Sequence, residues 1–115
     1  MAISPPWLNY DSVPFANVNS DGAAILSVTV QGSISSLLIS NQSNGDIIAY
    51  VVLIRGSTSY PILTVPLSAY QGVVVLNNNL LVILFGDIIS IHTDAPTNLV
   101  AGLLSYVEFN ELAAP

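Results

Sequence analysis

Lysine is absent, cysteine is absent, and Arg55 is the only arginine among 115 residues. Each absence removes a class of function. Nucleic-acid binding draws its affinity from several Lys or Arg contacts to phosphates. One guanidinium cannot supply them, so the expectation is no nucleic-acid partner. An anionic membrane surface is disfavoured for the same reason. Without cysteine there is no disulfide framework and no thiolate metal site. A secreted domain of this size usually needs such staples, so assembly in a reducing cytosol is expected. The opening Met1-Ala2-Ile3-Ser4-Pro5-Pro6 lacks the basic and apolar regions of a signal peptide. The longest apolar stretch, Gly72 to Phe85, is interrupted by Asn77-Asn78-Asn79 and falls short of the roughly 20 residues that a membrane helix needs. A soluble protein, used without export and with no membrane partner, is expected.

What is present is apolar. The hydrophobic fraction is 52%, the charged fraction 7%, and the formal net charge −6; an ordinary soluble domain is about 25% charged. Mean hydropathy is +0.70 and the mass 12.1 kDa. A monomer of that mass exposes roughly 6,000 Å². One core cannot hide so much apolar material, so part of it is expected to face a partner, with Ser, Thr and Asn coating the loops.

Periodicity and turn signals point to strands. Ile25 to Val30, Ile34 to Ile39 and Ile47 to Ile54 are rich in β-branched residues, the last nearly all apolar, as in a strand buried on both faces or at an interface. Tyr60 to Val65, bracketed by Pro61 and Pro66, reads as a short edge strand. Tyr70–Leu76 and Leu80–Phe85 read as two strands joined by a turn at Asn77-Asn78-Asn79, followed by Ile88–Thr93 and Leu99–Phe109. Seven to eight short strands at near-regular spacing predict an all-β fold, an antiparallel β-sandwich of jelly-roll-like or Greek-key type. Residues 1–22 stand apart. Pro5, Pro6 and Pro14 alternate with Trp7, Tyr10 and Phe15, which predicts an extended arm before a sandwich domain over 23–115.

Chemistry-bearing residues are few. Ser90, His92 and Asp94 fall on one face of a strand. A nucleophilic triad, however, draws its members from different elements and needs an oxyanion hole. No G-x-S-x-G, phosphate loop or EF-hand loop occurs. The acids Asp11, Asp21, Asp46, Asp87 and Asp94 lie in the arm or at turns, where carboxylates accept local backbone hydrogen bonds. No catalytic residue, metal site or cofactor is expected. Arg55 reads as a turn-capping or ion-paired side chain, to Asp46 or Asp87, or as an interface hot spot. Tyr50, Tyr70 and Phe85 read as core. Trp7, Tyr10 and Phe15, on an arm without a core of its own, read as partner anchors alongside Arg55.

Residues 28–109 resemble small structural proteins of tailed-phage virions. The resemblance rests on Leu38-Ile39-Ser40-Asn41-Gln42-Ser43, on Val65-Pro66-Leu67-Ser68-Ala69, on Leu84-Phe85-Gly86-Asp87-Ile88-Ile89-Ser90-Ile91, and on the closing Leu103-Leu104-Ser105-Tyr106-Val107-Glu108-Phe109. The family consists of β-sandwich components of heads or tails. The resemblance implies a capsid decoration (cement) protein that binds the major capsid protein as a homo-oligomer, with a trimer expected, on virions assembled in the host cytoplasm. A tail, baseplate or fibre subunit is the alternative. A carbohydrate-binding module with an aromatic platform of Trp7 and Tyr60 is the third reading.

Overall fold

The structure, a computed structural model, describes residues 8–95 and 99–109. Eight strands follow one another: β1 (Leu8–Val18), β2 (Ala23–Ser27), β3 (Gly32–Asn41), β4 (Ile47–Arg55), β5 (Thr58–Leu67), β6 (Gly72–Ile83), β7 (Ile88–Thr93) and β8 (Val100–Phe109). They form two four-stranded sheets, ordered β1-β8-β3-β6 and β2-β7-β4-β5, with every pairing antiparallel. The chain changes sheet at every connection except the tight β4–β5 hairpin, where Gly56 takes a φ of 64° that favours glycine. This order is the double Greek key of a jelly roll.

The pleat explains the core. Along β4 and β7, buried and half-buried residues alternate at every step, the period of a strand. Ile34, Leu37, Ile39, Val100 and Leu104 of the first sheet are fully buried, as are Ala49, Val51, Ile89 and Ile91 of the second. Burial of each large aliphatic side chain contributes about 1.5–3 kcal/mol. The core is aliphatic throughout: among the described residues, no aromatic side chain is fully buried.

Several expectations are corrected. Residues 8–18 are extended, but as β1 they pair with β8 of the same chain from Leu8↔Phe109 to Val18↔Val100. The sandwich therefore begins at least as early as Leu8 rather than at Ala23. Pro14 is compatible with this because β1 is an edge strand, where a missing N–H donor costs little. The asparagine triplet is no turn; it lies within the single strand β6. There β3 advances from Ile34 to Ser36 while β6 runs from Leu81 back to Asn77, a bulge that absorbs the polar run without reversing the chain. Tyr70 and Phe85 are 71% and 78% exposed. Both sit in connections, Tyr70 between β5 and β6 and Phe85 between β6 and β7.

Candidate interaction surface

The loops divide between two ends. At one end Asn41 is a buried hub. Its Nδ2 donates to the carbonyls of Gly45 (2.8 Å), Ser68 (3.0 Å) and Leu67 (3.3 Å). Its Oδ1 accepts from the Ser43 N–H (2.9 Å) and hydroxyl (2.7 Å). One amide thus ties the β3–β4 loop to the end of β5. Asp46 and Asp94 line a hollow of about 330 Å³ here. Asp94 Oδ1 accepts from the Ile48 N–H at 2.9 Å. Among the described residues, no three His, Asp or Glu side chains converge as metal ligands.

At the other end Arg55 meets Asp87 through two parallel bonds, Nε to Oδ1 at 2.9 Å and Nη2 to Oδ2 at 2.7 Å. Asp87 is buried while the Arg55 side chain is 43% exposed. Asp87 Oδ2 also accepts from the Leu84 N–H at 2.8 Å. The Arg55 bond holds the Asp87 carboxyl below its ordinary range, aided by the Leu84 N–H and opposed by burial. The same bond raises Arg55. The arginine is thus engaged within the chain, with Asp87 rather than Asp46.

Ser90, His92 and Asp94 do not assemble. The Ser90 hydroxyl donates to the Ala23 carbonyl at 3.1 Å, Asp94 is held by Ile48, and His92 stacks on Tyr50 with ring centres 4.9 Å apart.

The outer face of the first sheet is different. Register sets its side chains in rows across the strands. One row is Pro14–Leu103–Leu38–Val74, with Leu103 37%, Leu38 38% and Val74 57% exposed. The next is Ser12–Ser105–Ser36. The third is Tyr10–Val107–Ser33–Val82; Val107 and Ser33 are buried within the chain, while Tyr10 and Val82 at its ends are exposed. None of these residues is Asp, Glu, Lys, Arg or His. An open groove of about 400 Å³ lies along β1 and β8, lined by Tyr10, Ser12 and Ser105 of these rows and by Asp11, Ser35 and Tyr106 beside them. Burial, and then the charge of Asp11, push the Tyr106 hydroxyl upward. On the outer side of the second sheet Ile48, Tyr50, Val52 and Ile54 of β4 are half-buried, and Tyr60 on edge strand β5 is the one large apolar residue described there as exposed.

The four expected anchors scatter. Trp7 lies outside the described residues. Tyr10 stands on the first-sheet face. Phe15 packs against its own core with its ring over Gly102, where a Cβ would meet Phe15 Cζ at 2.6 Å. Arg55 is in the ion pair. Sequence reasoning missed Leu38, Val74, Val82 and Leu103. The signal was available: Leu37-Leu38-Ile39, Val73-Val74-Val75 and Leu103-Leu104 are apolar on both parities, whereas a strand with one solvated face alternates with polar residues.

No family model matches the chain, and no curated protein matches it.

Proposed function

We propose that this chain is a structural subunit of a tailed-phage virion, a decoration (cement) protein that stabilises the shell by binding the major capsid protein as a homo-oligomer, with three copies the expected number. One observation carries the reading: an apolar row crosses a sheet face whose three rows hold no charged residue, in a chain whose only arginine is already paired. A monomer gains nothing from that face, whereas a subunit in an assembly buries it. A ligand that binds only the assembled shell raises the shell's stability by mass action. Attachment through apolar contact resists salt, because screening acts on exposed charges.

The experiment adds the purified protein to capsids lacking it. Co-sedimentation that persists in about 1 M salt, where the Debye length is ~3 Å, together with a higher rupture temperature, is the expected result. Absence of co-sedimentation at low salt would rule the reading out. The partner-binding arm expected from the sequence must be narrower than residues 1–22, because deletion of residues 2–18 would remove the whole of β1.

A second reading rests on the groove. Two tyrosines, a carboxylate and three serines in an open cleft suit a sugar, stacked on a ring and hydrogen-bonded by hydroxyls. On this second reading the glycan platform is Tyr10 and Tyr106; Trp7, which the sequence expectation paired with Tyr60, lies outside the described residues. Binding of oligosaccharides on an array, lost in Tyr10→Ala, tests it.

A further inference from the structure

We infer that the outer face of the β1-β8-β3-β6 sheet is where copies of this chain meet each other. The inference rests on the oligomeric part of the proposed function and changes its number, because a face that meets its own copy closes at two chains rather than three; its test is independent of any capsid.

Three observations select the occupant. The first is charge. The chain carries −6, and the described acids lie off the three rows: Asp46 and Asp94 line the hollow at one end, Asp87 pairs with Arg55 at the other, Asp21 is in the β1–β2 turn, and Asp11, which lines the groove, and Glu108 flank the rows on β1 and β8. Glu108 accepts from Asn9 at 3.0 Å. A basic partner would be drawn to the acidic end, where its charge is answered. The neutral face lets two anionic copies meet without setting carboxylate against carboxylate, the arrangement of an apolar interface centre with a charged rim.

The second is area. Val107 and Ser33 in the third row are already covered within the chain, so the surface left to bury is the Pro14–Leu103–Leu38–Val74 row, the serine row beside it and the exposed ends Tyr10 and Val82. That is less than a full sheet face, the size of a small self-contact formed at high concentration. The exposed Leu99 and Phe109, which flank the sheet at either end of β8, extend it.

The third is the state of the edges. β1 carries Pro14 and a bulge between Phe15 and Val18, and the register of β6 slips twice. An extended peptide docking as a fifth strand needs a regular row of free donors and acceptors. Neither edge of this sheet offers one, so the face is met by a folded surface through side chains. A second copy presents the same neutral, apolar surface.

The test uses the whole chain. Wild type at about 100 µM is weighed by light scattering after size exclusion, together with Leu38→Asp/Leu103→Asp, which places charge at the centre of the apolar row. Val52→Asp on the opposite sheet is the control. The expected result is a wild type and control at about twice 12.1 kDa and a double variant at the mass of one chain with an unchanged β-sheet circular dichroism spectrum. If the double variant does not fold, Val74→Asp on edge strand β6 replaces it with the same expectation. Because the chain has no cysteine, Val74→Cys and Thr64→Cys supply a second measure. A bifunctional maleimide should join copies of the first and leave copies of the second single. A monomeric wild type, an oligomer indifferent to charge at Leu38, Leu103 and Val74, or cross-linking through Thr64 alone would overturn the inference. If the oligomer forms as expected but does not bind capsids, the inference stands and the virion reading falls.

Discussion

Where four loops meet, a neutral amide fixes the end of the sandwich: Asn41 makes five short bonds, all to uncharged groups. At the opposite end a carboxylate does comparable work. Asp87 holds Leu84 and Arg55 together, and its backbone exchanges bonds across the same loops, the Val28 N–H donating to the Asp87 carbonyl at 2.8 Å. The first solution is indifferent to pH and salt. The second depends on an ionised group. A chain with almost no charge thus closes one end without charge and uses its only strong cation at the other.

That contrast can be broken from either side. The largest expected effect is at the neutral end. Asn41→Ala removes five hydrogen bonds at a fully buried position; the Gly45 and Ser68 carbonyls keep the Ser43 hydroxyl and the Gln71 N–H as donors, but the Ser43 N–H loses its acceptor. Stranded buried polar groups cost about 1–3 kcal/mol each. Partial relaxation toward water at the loop surface brings the expected loss to about 3 kcal/mol, read from urea unfolding. Asp87→Asn comes next. It keeps an acceptor for Leu84 but loses the charge-assisted pair. The exposure of Arg55 discounts that pair, so a loss of about 2 kcal/mol in the same assay is expected.

A pH series sharpens the comparison. The folded carboxyl of Asp87 lies below its ordinary range. Its contribution is therefore complete above the unfolded carboxylate pKa of about 3.9 and disappears as pH falls through the lower, folded value. Wild type and Asn41→Ala should both show this acid loss in their urea midpoints. Asp87→Asn should lack that component. Equal acid sensitivity in all three would mean that the ion pair contributes nothing. The smallest effect concerns Tyr70, which takes a φ of 57°. A left-handed backbone costs a non-glycine residue about 1–2 kcal/mol. Tyr70→Gly removes that strain but enlarges the unfolded ensemble, leaving a net gain of about 0.5 kcal/mol in thermal melts.

Much of the fold was legible because strand and turn signals are local. Ile88–Thr93 matches β7 at both ends, and the pair of prolines at 61 and 66 correctly marks β5 as an edge. Asn77-Asn78-Asn79 misled because polarity resembles a turn, whereas a bulged edge strand tolerates polar residues equally well. Tyr70 and Phe85 misled because size suggests a core. Their neighbours Ser68, Gly86 and Asp87 place both in connections, and the aliphatic interior has no need of them. The apolar face was not legible as a face. Leu38 and Leu103 lie 65 residues apart in the chain and become neighbours only through the β3–β8 register, a non-local fact that no window of sequence contains.

The blunted strand margins have a further consequence. A protein this rich in β-branched residues, held at high local concentration, is the material from which cross-β fibrils grow, one backbone ladder at a time. Growth needs an open, straight margin. Here Pro14 interrupts one margin and Pro61 and Pro66 another, β6 slips register, and β2 is five residues long with a bulge of its own. On the proposed self-contact, association is left to the broad side, which one second copy covers, so it closes at a pair instead of growing into a filament.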